Sequence, residues 1–156
     1  MINTQDLIWQ SLDQARNVPD TVMHWLDDNQ SLTAKLKNKF DDFSVNVLLQ
    51  TQHEPHQNET ELLGFKGDSI IREVELLGNS QVMVFARSVI PITNDTKDLL
   101  MIGSRPLGEV LFNDPTITRG PLQITHTGST WGRRSAFTIG TTKLLVNEFF
   151  LRRLYA

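Results

Sequence analysis

Residues 70–90 read IIREVELLGNSQVMVFARSVI, and the fold follows from how this stretch divides. Side chains on a strand alternate between its faces. Ile70, Arg72, Val74 and Leu76 fall on one face, and Ile71, Glu73, Glu75 and Leu77 on the other. Gly78-Asn79 offers a tight turn between two apolar runs. From Gln81 onward both faces are apolar, with Val82, Val84 and Ala86 against Met83, Phe85 and Val89. A run of that kind reads as a central strand buried on both sides. The stretch predicts an antiparallel hairpin in the middle of a sheet.

Working outward, further strands are expected near 43–51, 117–125, 134–140 and 142–150, the last two joined at Gly140-Thr141. The first forty residues read as helical. Val22, Met23, Trp25 and Leu26 share a face behind a cap at Asp20, and Ser31 caps a second helix from Leu32 to about Lys39. The polar segment 52–69, with Pro55, Gly64 and Gly67, reads as a long loop. The stretch 91–116 holds Pro91, Gly103, Pro106 and Pro115, and Pro106 starts a short helix through Phe112. Helices followed by a run of strands predict an α+β fold with an antiparallel sheet, one domain over residues 1–156.

Composition narrows the function. The 156 residues include no cysteine, which excludes disulfides, thiolate nucleophiles and thiolate zinc sites. MINTQDLIWQ at the start lacks the basic-then-apolar pattern of a secretion signal, and no apolar run reaches the ~20 residues of a spanning helix. A cytoplasmic protein is expected. The net charge of -3 disfavours general nucleic-acid binding. Residues 1–61 hold ten acids and four bases, whereas residues 62–156 hold eight acids and eleven bases, eight of them Arg. Arg suits the two-point grip of a carboxylate or phosphate, so the second half of the chain is equipped for a small anion; surface balance is the plainer explanation.

Two charges sit on faces that should be buried. Arg72 shares its face with Ile70, Val74 and Leu76, and Glu148 interrupts Leu144, Val146 and Phe150 in LLVNEFF. A lone buried charge costs several kcal/mol unless partnered. Either the two form a buried salt bridge, or they line a polar cavity in which Arg72 awaits an anion and Glu148 a hydroxyl or a proton. Arg87, on the buried second strand, is a second anion ligand or, slightly favoured, a structural partner for an acid. Arg133 and Arg134 follow a Trp-Gly turn and face opposite ways, so at most one reaches a given site. His53 and His56 lack the helix and the further ligands that a metal site needs, and His24 and His126 stand alone. No phosphate-binding loop, G-x-G-x-x-G or G-x-S-x-G motif is present.

Several segments, in order, resemble the chorismate lyase family: WLDD from Trp25 with SLT from Ser31, IREVEL from Ile71, VFARSVIP from Val84, GSRPLGEVLF from Gly103, ITR from Ile117, WGRRS from Trp131 and LLVNEFFL from Leu144. None is specific alone; together they span about residues 25–151. The chain departs from the usual pattern at Arg152, where many members have Pro, and at Glu109, where a basic residue is common. The resemblance implies a six-stranded antiparallel sheet with helices packed on it and a buried ligand cavity closed by flap loops. It implies removal of pyruvate from chorismate to give 4-hydroxybenzoate, a first step toward ubiquinone, with no cofactor and no metal; because a closed internal cavity needs no partner subunit, a monomer is expected. It places the key arginine at Arg72 and the key glutamate at Glu148, with backbone contacts near Leu32 and Leu107. The alternative is a non-catalytic small-carboxylate sensor of the same fold. Such domains normally follow a DNA-binding helix-turn-helix, for which the forty residues before the sheet are too few and too acidic.

Overall fold

The computed structural model of the chain describes residues 2–28, 31–65 and 67–155. The elements are β1 (Gln10–Ser11), α1 (Asp20–Leu26), α2 (Leu32–Lys39), β2 (Phe43–Gln52), α3 (Gln57–Leu63), β3 (Ser69–Gly78), β4 (Gln81–Pro91), α4 (Leu107–Phe112), β5 (Thr118–Arg119), β6 (Gln123–Thr127), β7 (Thr130–Ile139), β8 (Thr142–Phe150) and α5 (Arg152–Tyr155). The strands form one antiparallel sheet in the order β1-β6-β7-β8-β4-β3-β2, with β5 also paired to β7. The α+β class and the β3–β4 hairpin stand as expected, with β4 between β3 and β8.

The sheet has eight strands, not six. The additional two, β1 and β5, are two residues each. A two-residue strand has no alternation to read, so only its partner reveals it. β5 also splits the single strand expected over 117–125. Thr118 and Arg119 pair with Thr138 and Phe137, Gly120-Pro121 breaks the ladder, and β6 resumes with Gln123 opposite Arg134. The β3–β4 turn sits one residue later than Gly78-Asn79. Pairing runs on to Gly78 opposite Gln81, and Asn79 (φ 51) and Ser80 (φ 68) form the two-residue loop. Positive φ at both positions is the type I′ geometry that matches strand twist. Gly78 is required for another reason: a Cβ there would stand 2.5 Å from the Phe40 ring.

The segment 52–69 is not simply a loop, because it contains α3. Its sequence QNETELL hides the helix, since the residues that turn inward are Glu59 and Leu63. An inward glutamate erases the apolar periodicity by which helices are recognised. Gly64, in the left-handed region at φ 64, ends the helix. At the other predicted helices the differences are small. Asp20 is the first helical residue and Pro19 the cap, while Ser31 caps α2 as expected, its Oγ accepting from the Ala34 amide at 3.2 Å.

The sheet is covered on both faces. On the first, α1 and α2 bring Trp25, Leu26 and Leu36 onto Val74, Leu76, Val84 and Phe150. Beside them α4 seats Leu107 and Leu111 on Ile90, Phe137, Leu144 and Val146. On the second face α3 lays Leu63 over Ile71, Val89 and Leu145. Full burial of one such aliphatic side chain contributes roughly 1.5–3 kcal/mol. The sheet therefore presents two separate interiors, and charged residues are sealed into each.

Candidate active site

The first interior contains a pocket. Its floor is the sheet, with Arg72, Val74, Ser88 and Glu148 among its residues, and Leu32, Thr33, Leu107 and Gly108 form its roof. The roof residues are the first turns of α2 and α4, where backbone N–H groups have no intrahelical acceptor. The open space measures about 30 Å³, room for two or three waters at roughly 10–15 Å³ each.

Arg72 is 2% exposed. Its Nη1 donates to Gln50 Oε1 at 2.8 Å and its Nη2 to the Arg105 carbonyl at 3.0 Å. Both acceptors are neutral, and no carboxylate among the described residues forms an ion pair with it. Burial pulls its pKa below the ordinary arginine value, because the charged form loses water without gaining a counter-ion.

Glu148 does not bond to Arg72. In register, Val74, Ala86, Glu148 and Arg133 form one row across β3, β4, β8 and β7, and Arg72 begins the next row with Ser88, Val146 and Ser135. Two strands and one row separate the Cα atoms by roughly 12 Å at ordinary sheet spacings. Glu148 Oε1 instead accepts from Arg133 Nε at 2.9 Å. Arg133 Nη1 also reaches the carbonyls of Trp25, Leu26 and Asp28 at 3.1, 3.3 and 2.7 Å, so it ties β8 to the carbonyl end of α1. Arg133 is therefore a positioning partner for Glu148. Of the two readings of the misplaced charges, the Arg72–Glu148 salt bridge is absent, and both side chains border one small pocket. Leu32 and Leu107 line it as well, so all four residues singled out from sequence come together.

One lining residue escaped the sequence. Arg119, on β5, also borders the pocket. Its Nε donates to Ser135 Oγ at 2.9 Å, and its guanidinium lies 5.6 Å from the Phe112 ring centre and 5.4 Å from that of Phe137. No periodicity could find it, since its strand is two residues long. The ITR segment was the one available signal.

Arg87 and Arg134 belong to the second interior. Arg87 meets Glu59 through Nε and Nη2, both at 2.9 Å, and Glu73 through Nη1 at 3.1 Å. This is the structural role that the sequence slightly favoured. Arg134 donates to Gln123 and Asn58 and stacks 4.5 Å from the Trp9 ring centre; burial pushes its pKa down to about 10. His126 stacks on Trp131 at 3.9 Å, and His56 contacts Thr4. Among the described residues no group of three or more His, Asp or Glu is placed to hold a metal ion, and no helix is long and apolar enough to cross a membrane.

Comparison with solved structures shows the fold in regulator proteins. The C-terminal domain of the histidine utilization repressor from Pseudomonas syringae superposes with a TM-score of 0.57 and 6% identity, over 74% of this chain and 95% of that one. A possible transcriptional regulator, YydK from Bacillus subtilis, gives 0.54 and 13%, over 73% of this chain and 60% of that one. At such identities the likeness concerns the fold alone. In sequence, the "Probable chorismate pyruvate-lyase" of Aromatoleum aromaticum is 36% identical over 92% of this chain and 91% of its own length. That of Pseudomonas aeruginosa strain UCBPP-PA14 is 35% identical over 95% and 93%. The profile described as Chorismate lyase matches residues 3–156, and with relatives of this identity along nearly its full length, the chain belongs to the chorismate lyase family.

Proposed function

We propose that this chain removes pyruvate from chorismate to leave 4-hydroxybenzoate, the precursor on a route to ubiquinone, and that it does so without a cofactor, as a cytoplasmic monomer. The observation that carries this reading is a sealed Arg72 with only neutral partners, in one pocket with Glu148. A buried cation without a counter-ion is a poor structural device and a good anion receptor.

Chorismate carries a ring carboxylate, a ring hydroxyl and an enolpyruvyl ether with a second carboxylate. In the elimination, the hydroxyl-bearing ring carbon loses its proton to a base. The electrons of that C–H bond complete the aromatic ring, and the neighbouring C–O bond breaks onto the enolpyruvate oxygen. Reprotonation of the enolate gives pyruvate. Aromatisation supplies the driving force, so the protein must chiefly hold one ring conformer, exclude water and meet developing charge. Arg72 grips a substrate carboxylate through two N–H groups, helped by the first-turn amides at Leu32 and Leu107. It hydrogen-bonds rather than donates a proton, because a guanidinium holds its proton far more tightly than a general acid can. Glu148, held by Arg133, accepts from the ring hydroxyl or takes the proton of the adjacent carbon.

The pocket space of about 30 Å³ is too small for such a ligand. The segments that carry the starts of α2 and α4 therefore act as flaps that part for entry and close over the ring. The product keeps a carboxylate and a hydroxyl, so its release through the same flaps limits turnover. A pre-steady-state burst is expected, and a time course linear from the first turnover counts against the flaps. The whole reading is tested by adding chorismate to the purified chain and measuring both products. Pyruvate and 4-hydroxybenzoate in equal amounts support a lyase. Tight binding with no product identifies a sensor, and neither outcome leaves a scaffold.

A further inference from the structure

Arg119 is built like a binding residue whose ligand the lyase chemistry has already named. Its guanidinium borders the same pocket as Arg72 and Glu148. Nε is satisfied by Ser135 Oγ, but Nη1 is buried and meets no acceptor among the described residues. An unmet buried N–H forfeits its hydration, and a charged one forfeits more. Phe112 and Phe137 offer their rings at 5.6 and 5.4 Å. Such stacking offsets part of the cost at the guanidinium face; it leaves the N–H edge unserved. Burial and then the nearby Arg133 pull the pKa of Arg119 below its ordinary value, against the smaller opposing pull of Glu148 and Asp28. Among the described residues Glu148 is the one carboxylate bordering the pocket, and it is engaged by Arg133.

The charge count decides what belongs there. Two guanidinium groups border the pocket, Arg72 and Arg119, and neither has an acidic hydrogen-bond partner. They stand on opposite sides of it, Arg72 on β3 and Arg119 on β5, with β4, β8 and β7 between those strands. One bound carboxylate would leave the other cation unanswered. A ligand with two separated carboxylates answers both.

We propose that Arg119 binds the carboxylate of the enolpyruvyl arm while Arg72 holds the ring carboxylate, so that the pocket recognises a dianion through two arginines. This assignment rests on the lyase reading above. The consequence is a difference between substrate and product: once the C–O bond breaks, the aromatic product has one carboxylate, and only the Arg72 grip remains on it. Arg119 thus adds affinity that the product cannot use, and it stays with the departing three-carbon acid.

The test compares substrate and product on Arg119→Gln and Arg119→Lys. For Arg119→Gln, kcat/KM on chorismate should fall roughly 10- to 100-fold, the worth of one charge-assisted hydrogen bond. The affinity for 4-hydroxybenzoate should stay within about twofold, which also reports that the variant is folded. Arg119→Lys keeps the cation, loses the fork and should fall between; it serves alone if the Gln variant does not fold. Chorismate kinetics that match wild type overturn the assignment, as does an equal loss of product affinity, which would mark Arg119 as a support for Glu148 and Arg72. A wild-type chain that makes no pyruvate overturns the lyase reading itself, and that result appears before any variant is measured.

Discussion

Arg72 and Arg87 stand on the paired strands β3 and β4, 2% and 5% exposed, in opposite interiors of the same sheet. In their sequences they look alike, each an arginine set among aliphatic neighbours. Their surroundings are opposite. Arg87 is bracketed by Glu59 and Glu73, and although burial lowers its pKa, the hydrogen bonds and charge of those two carboxylates leave it raised overall. Asn147 completes that cluster, donating to the Arg87 carbonyl at 3.0 Å. Arg72 has a glutamine and a carbonyl oxygen, and its pKa is lowered by burial. The contrast separates a charge that the protein neutralises with its own carboxylates from a charge that it buries with neutral partners alone.

Four experiments can break or sharpen this contrast. The largest effect is expected at Arg87. Arg87→Met should cost about 3–5 kcal/mol, because it strands two carboxylates in the interior. Denaturant unfolding at neutral pH measures it, and a loss below about 1 kcal/mol would show that Arg87 is no keystone. Arg72→Met should behave the other way. Chorismate turnover should drop about 10²–10³-fold, the scale seen when one preorganised donor is removed, while unfolding free energy holds or rises. A stability loss matching that of Arg87→Met would make the two arginines equivalent and remove the contrast. Glu148→Gln keeps the acceptor for Arg133 but not the carboxylate. A fall of roughly 10²-fold in kcat is expected if it takes the proton, and unchanged turnover would leave it only a positioning role.

The smallest effect lies beside Arg87. Burial first, and then the positive charge of Arg87, lower the pKa of His56 from 6.5. The folded chain therefore holds a neutral imidazole at pH values where the unfolded chain already takes up a proton. This contribution to stability is intact above about 6.5 and is lost as pH falls through the lower folded-state value. His56→Gln should flatten the stability curve over that window relative to wild type. Parallel curves would show that the imidazole is not held neutral by its site.

Much of the active-site hypothesis was legible from alternation alone, because Arg72 and Glu148 break an apolar face and a strand has only two faces. That the two do not touch was not legible. Their separation depends on β4 lying between β3 and β8 and on Arg133 arriving on β7 to take Glu148, and neither is a local property. Arg119 was invisible for a similar reason: its strand exists only because β7 is there to pair with it. Helix α3 was missed because its inward side chain is Glu59, whose place is set by an arginine 28 residues later in the chain.

By itself, the order of residues determined the α+β class, the central hairpin, the capped start of α2 and the two charges that did not belong on their faces. These follow from short-range rules: the two-residue period of a strand, the 3.6-residue period of a helix and the chemistry of turns and caps. The tertiary structure alone decided which buried cation received a carboxylate. Coulomb attraction and desolvation depend on distance and on exclusion of water, and both are set by chain segments that meet only when the sheet has formed.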